Sequence, residues 1–286
     1  MKRREFVKYS VTAAGVLTLS PLEKFLAQEG KKKYASDIVT LGNTGIKVSR
    51  LAMGTGTHGF NHRSNQSEGL GIKGVADLLY SAYEHGINFW DSADQYGTHP
   101  HLKEALKRVH RDKVVILTKT KATTADEMKS DLDRFRKEIG TDYLDIILLH
   151  LMTDPEWDIK KQGAMEVLAK AREDGIIKAH GVSCHTLGAL ETASDSDWVQ
   201  VDLARINPFG ASMDADVPTV EKILKKMHKH GKGVVGMKIL GAGRLVNKID
   251  ECLKYILSFD SVDAFTIGQE NEQQMLDLIK RIPQNS

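Results

Sequence analysis

Short apolar runs alternate with segments of helical period from Ser36 to the end of the chain, and this alternation limits the possible folds more than any single residue does. Strands are predicted at Arg50–Met53, Ile87–Trp90, Val114–Leu117, Leu144–Leu149, Ile177–Val182, Val199–Ile206, Gly233–Met237 and Ala264–Ile267. Between and after them lie Val75–His85, Leu102–Val109, Ala125–Ile139, Lys160–Glu173, Leu187–Ala193, Val217–His230, Ile249–Ser258 and Glu272–Ile282. Each of these carries apolar residues three and four apart, the spacing of one helix face. Gly86, Gly140, Gly175 and Gly231 sit where four of these helices should stop. Ahead of the first unit, Asp37–Leu41 and Gly45–Ser49 flank Gly42-Asn43-Thr44 and predict a β-hairpin. Strands apolar throughout are covered on both faces, which implies a parallel sheet with helices outside it. Eight such units favour a closed barrel over an open doubly wound sheet, and no Gly-x-Gly-x-x-Gly follows the first strand. The expected fold is α/β, a (β/α)8 TIM barrel with an N-terminal hairpin, as one domain over residues 36–286.

Composition excludes some functions. The 286 residues are enough to bury a large core, and 41% hydrophobic with 27% charged residues is ordinary for a globular protein. A net charge of +2, with the two signs interleaved, offers nucleic acid no basic face. Two cysteines, Cys184 and Cys252, are too few for a disulfide framework or a thiolate metal site.

Residues 1–35 read separately, as a signal peptide and linker. Lys2-Arg3-Arg4-Glu5-Phe6-Val7-Lys8 precedes an apolar run, Val11 to Leu19, too short for an ordinary transmembrane helix. The paired arginines with the following Phe-Val-Lys resemble the twin-arginine export signal, which predicts engagement of that export machinery and a periplasmic location. Pro21 follows Thr18-Leu19-Ser20, and Phe25 occupies the position in Phe25-Leu26-Ala27 where a small residue is wanted for cleavage. An uncleaved signal would tether the protein to the membrane.

In a TIM barrel the chemistry belongs at the C-terminal strand ends. Those ends carry Asp91, Lys119, His150, Ser183, Asn207, Lys238 and Gly268, with Tyr96 in the turn after Asp91. A neighbouring ammonium favours a phenolate, so Lys119 is expected to lower the pKa of Tyr96, with Asp91 holding Lys119 charged. His150 offers an N–H to the same point. A phenol and an imidazole that polarise one oxygen suit carbonyl reduction, with Tyr96 delivering the proton. No side chain supplies a hydride, so a cofactor must.

Four segments then carry a resemblance. They are the opening Leu41-Gly42-Asn43-Thr44-Gly45-Ile46-Lys47-Val48-Ser49-Arg50-Leu51, the stretch Ile87–Gly97 with five residues from Asp91 to Tyr96, Leu117-Thr118-Lys119, and Asp145-Ile146-Ile147-Leu148-Leu149-His150. Through them the chain from about Asp37 to Ile282 resembles the aldo-keto reductase superfamily. The resemblance implies an eight-stranded α/β barrel, NADP or NAD as cofactor, and Asp91, Tyr96, Lys119 and His150 as the catalytic set. It also implies cofactor-binding positions at Gly54, Thr55, Ser183, Cys184, Met237, Lys238, Leu240, Gly241, Gly243, Arg244, Gly268, Gln269 and Gln274. Cys184 stands where the family has an asparagine for the nicotinamide carboxamide, and Met237 where many relatives place a stacking aromatic. Gly268 and Gln274 occupy the places of a lysine and an arginine that hold a 2′-phosphate, which brings NAD forward.

His58, His62, His99, His101 and His185 fall in loops on the catalytic face without nearby ligand pairs, so no metal site is expected. The polar loop Thr57–Lys73 suggests a hydroxylated substrate. The leading function is NAD(P)-dependent reduction of a carbonyl (aldehyde, ketone or sugar) to an alcohol, or the reverse. The alternatives are a redox-neutral sugar epimerase, dismutase or lyase with tightly bound cofactor, and a nicotinamide-binding sensor or partner subunit.

Overall fold

The computed structural model describes residues 32–286, so the export signal expected within 1–35 falls, up to residue 31, outside the described residues. Strands β1 (Ile38–Thr40) and β2 (Lys47–Ser49) pair antiparallel, Val39 opposite Val48, and form the expected hairpin. Then follow β3 (Leu51–Gly54), β4 (Phe89–Asp91), β5 (Val115–Thr120), β6 (Leu144–Met152), β7 (Ile177–Cys184), β8 (Val201–Arg205), β9 (Gly233–Met237) and β10 (Ala264–Gly268). They close into one barrel of parallel strands, β10 returning to pair with β3.

Two cores result from strand alternation. In β6, Ile146 and Leu148 point into the barrel while Ile147 and Leu149 face the helices. This division explains why the strands read as continuous apolar runs. Leu41, Ile46 and Val48 of the hairpin region join the inner cluster with Phe89, Leu117 and Val201, so that region plugs one end of the barrel. The four predicted glycine stops, Gly86, Gly140, Gly175 and Gly231, all have left-handed φ between 73° and 79°.

The helices depart from the reading in one useful place. The segment expected as a loop to Lys73 contains a helix that begins at Asn65, and only a break at Gly71 (φ +62) separates its first turn from the amphipathic remainder. Ser64 starts it: its hydroxyl accepts from Ser67 N at 3.2 Å, while Ser67 Oγ accepts from Ser64 N at 2.8 Å. A turn of helix without an apolar stripe has no period to detect. Among the described residues no helix is long and apolar enough to cross a membrane.

A buried carboxylate interrupts the apolar pattern of the outer layer. Asp202 of β8 is fully buried and neither carboxylate oxygen has a hydrogen-bond partner. Burial first, and then the charge of Asp214, push its pKa up to about 8. The native state therefore keeps a proton that the unfolded chain releases above pH 3.8. Stability contributed through this group falls as pH rises from about 4 to about 8. Asp202→Asn should remove that part of the slope, which urea unfolding of both proteins at several pH values in this window would read. Parallel pH profiles would contradict it.

Candidate active site

Asp91 ends β4 and is nearly buried. Its Oδ1 accepts from Lys119 Nζ, and its Oδ2 accepts from Thr266 Oγ1 at 2.9 Å. Lys119 lies inside β5, one residue before its end, because β5 runs on to Thr120; its Nζ also donates to Ser92 O at 2.7 Å. A chain of buried hydroxyls fixes the backbone beneath: Thr55 Oγ1 donates to Asp91 O at 2.9 Å and lies 2.9 Å from Thr98 Oγ1, itself 2.7 Å from Ser92 Oγ.

A single 3-10 turn, Asp94–Tyr96, brings Tyr96 back over this pair, and Gly97 (φ +64) ends it. Lys119 Nζ lies 4.8 Å from the centre of the Tyr96 ring. The His150 imidazole meets that ring edge-on, with centroids 5.8 Å apart at 85°. The four expected residues thus converge on one point.

Their ionisation corrects one expectation. Lys119 does favour the phenolate, but burial of the phenol is the larger effect and the Asp91 carboxylate adds to it, so the Tyr96 pKa is raised. The ammonium is already paired with Asp91. Burial works against the charge of Lys119, but Asp91 and Tyr96 outweigh it and hold its pKa above the ordinary value. Burial, followed by the charge of Lys119, drives His150 well below the usual imidazole range. His150 is therefore neutral near pH 7. Its buried Nδ1 has no partner, and placing the proton on Nε2 leaves only a lone pair there unsatisfied.

β6 bulges just past this histidine. Its register with β7 shifts between Leu149 and Met152, and Leu151 adopts φ +64. Ser183 Oγ accepts from Leu151 N at 3.1 Å, so this hydroxyl props the bulge behind His150.

From Asp91 and Tyr96 a cavity of about 490 Å³ runs outward between the segment after β9 and the segment after β10. Of the expected cofactor positions, Gly54, Met237, Lys238, Leu240, Gly243, Gly268, Gln269 and Gln274 line it. Gln269 is 1% exposed, and its amide nitrogen and oxygen both lack protein partners, a donor and an acceptor suited to a polar ligand. The glycines along its walls and this amide fit a dinucleotide.

Other expected positions lie elsewhere. Thr55 belongs to the hydroxyl chain, and Gly241 is buried against Ala211 and Leu245. Arg244 is exposed. Cys184 faces the helices, in the outer core, where its thiol donates to Ala189 O at 3.4 Å. Its place at the end of β7 puts its side chain on the face opposite Ser183.

Thr266 escaped the sequence reading. The signal was available: Ala264 points into the barrel, so strand alternation turns Thr266 the same way. Asp94, His99 and Glu138 also bring ligand atoms within 4.8 Å of one another. The Arg134 guanidinium bonds Asp94 at 2.7 Å and Glu138 at 3.1 Å, and His99 lies 2.8 Å from Glu138 and 2.7 Å from Thr118 Oγ1. The cluster reads as an ion-pair network that ties the Tyr96 turn to the helix Ala125–Ile139.

Comparison with known proteins bears on the family and the fold. The aldo-keto reductase AFTS1 of Alternaria alternata is 24% identical over 86% of this chain and 75% of its own length. The NADH-specific methylglyoxal reductase of Escherichia coli is 24% identical over 51% of each chain. The chain therefore spans three quarters of the first relative and about half of the second. Among solved structures, the holo form of aldo-keto reductase AKR11C1 from Bacillus halodurans superposes with a TM-score of 0.71 at 17% identity, covering 88% of this chain and 91% of that one. This last likeness is one of fold. The family model for aldo/keto reductases matches residues 51–282, and the chain belongs to that family.

Proposed function

We propose that the protein is an NAD(P)-dependent oxidoreductase interconverting a small carbonyl compound, such as an aldehyde, ketone or sugar, and its alcohol, with Tyr96 as the proton donor. The observation that carries this reading is the convergence of Tyr96, the Lys119–Asp91 pair and a neutral His150, with Tyr96 and Asp91 lining the cavity. The cofactor supplies the hydride. Everything else falls to the chain. A raised pKa keeps Tyr96 protonated at neutral pH and ready to give its proton to the carbonyl oxygen. The phenolate left behind faces the Lys119 ammonium, which Asp91 keeps charged and the Ser92 carbonyl keeps in place, with Thr266 holding Asp91 in turn. His150, donating from Nε2, polarises the same oxygen without competing as an acid.

The cavity supports NAD over NADP. Its β10 wall contributes Gly268, Gln269, Glu270, Gln274 and Asp277, and no lysine or arginine among the described residues of that wall lines it. A 2′-phosphate there would meet carboxylates without a cation to hold it. We also take the N-terminal pattern to direct export to the periplasm, where free cofactor is not recycled. Export favours a second reading, a redox-neutral enzyme on a sugar that keeps its NAD bound and returns the hydride to its substrate.

Tyr96→Phe should lower kcat by about 10²–10⁴-fold, the usual contribution of a positioned proton donor, with dinucleotide affinity unchanged. Full turnover in that variant would sink the mechanism. NADH should bind more tightly than NADPH by about tenfold or more in a fluorescence titration, a difference of ~1.4 kcal/mol, and equal affinities would refute the preference. Mass analysis of a denatured extract of desalted protein separates the two readings. Near-stoichiometric NAD supports the redox-neutral enzyme, whereas apo-protein that binds NADH from solution supports the reductase.

A further inference from the structure

The loop from the end of β3 to the helix at Asn65 packs directly on Tyr96. A Cβ added to Gly56 would lie 2.5 Å from Tyr96 Cζ, and one added to Gly59 would lie 2.7 Å from Cε1, closer than carbon atoms approach. The two glycines meet opposite edges of the ring, Gly56 the Cδ2–Cε2 edge and Gly59 the Cδ1–Cε1 edge. One tight turn presents both, because Gly59 N donates to Gly56 O at 3.0 Å.

The loop is strained and built. His58, within that turn, has φ +50, a region L side chains rarely adopt. Phe60 and Arg63 then pair through two backbone hydrogen bonds, 2.9 and 3.3 Å, around Asn61 (φ +51) and His62 (φ +57). Positive φ at both central residues marks a mirror-image two-residue turn. Backbone in such conformations persists only where its surroundings over-determine it. Here they do. The Gln66 amide accepts from Thr57 N at 3.0 Å and donates to Thr57 Oγ1 at 2.7 Å and to Gln269 O at 3.2 Å. Asn65 N donates to Thr57 O at 2.9 Å. On the other side, His62 Nδ1 lies 3.0 Å from Asp94 O, and His62 O rests against Gly97 where no Cβ would fit. Gln66 thus pins the loop to the segment after β10, and His62 pins it to the turn that bears Tyr96.

We propose that Gly56 and Gly59 are positioning residues: with the pinned loop 56–63 they form a slot that holds the phenol of Tyr96 against Lys119 and His150. The inference rests on Tyr96 being the proton donor. The slot walls both edges of a ring that also meets the Lys119 ammonium and the edge of His150. A side chain at either glycine displaces the ring and leaves the Asp91–Lys119 pair untouched.

The test uses the full chain with Gly56→Ala, Gly59→Ala, Tyr96→Phe and the combination of Gly59→Ala with Tyr96→Phe. Gly69→Ala serves as control, since a Cβ there meets nothing within 4 Å. In each glycine-slot variant kcat should fall by about ten- to a hundredfold, the loss expected from misplacement by ~1 Å, and in Gly59→Ala, whose glycine does not line the cavity, KM and the affinity for NADH should hold. The Tyr96 ionisation, read as difference absorbance against Tyr96→Phe, should move down towards the ordinary phenol value. In the Tyr96→Phe background, Gly59→Ala should lower the residual rate no further. Wild-type kcat in both alanine variants, with Tyr96→Phe inactive, overturns the slot alone. A fully active Tyr96→Phe overturns the proton-donor reading and the slot with it. Should the alanine variants fail to fold, Gln66→Met carries the test by unpinning the loop without crowding the ring, and unchanged kcat there overturns the proposal.

Discussion

The ion pair between Lys119 and Asp91 is the constraint around which this barrel is arranged. Both groups are withdrawn from water, and an uncompensated buried charge at either would cost about 3–5 kcal/mol. Compensation comes from three directions. Thr266 arrives from β10, the Ser92 carbonyl from the turn after β4, and the hydroxyls of Thr55 and Thr98 hold the backbone that carries the carboxylate. With its charge matched, Lys119 is not free to make Tyr96 a strong acid. The result is a phenol whose pKa is raised, facing a cation that is already paired.

Much of this was legible in the sequence. Continuous apolar strands bounded by helices give a closed parallel barrel, and a carboxylate, a lysine and a histidine at three successive strand ends identify the chemical face. Those inferences need only period and position. The pKa of Tyr96 needed more, because the sign depends on whether burial or the ammonium dominates, and burial is a property of the packed turn. Cys184 and Ser183 are adjacent in sequence, yet strand alternation sends the thiol to the outer core and the hydroxyl to Leu151. The loop after β3 reads as polar in the sequence; its order comes from the tight turn at Gly56–Gly59, the mirror-image turn at Phe60–Arg63 and Gln66, none of which has a hydrophobic period.

The site also shows a division of labour. The residues proposed for proton transfer come from β4 and the turn after it, β5 and β6, and the cavity walls come mostly from the segments after β9 and β10. The ion-pair network of Arg134 with Asp94 and Glu138 stiffens the first group from outside, so the helix Ala125–Ile139 bears on the catalytic turn without touching the cavity. Substitutions at Arg134 and at Gln269 would be expected to injure different halves of the same task.

The pairing of β10 with β3 has a temporal meaning as well. During synthesis the strands carrying Asp91, Lys119 and His150 leave the ribosome long before Thr266 does, and a partial barrel made from them would hold a carboxylate with one oxygen unmatched. Only when the final strand docks beside the first does that oxygen find its donor and the cavity gain its second wall. The site proposed here is therefore complete only once the ring has closed.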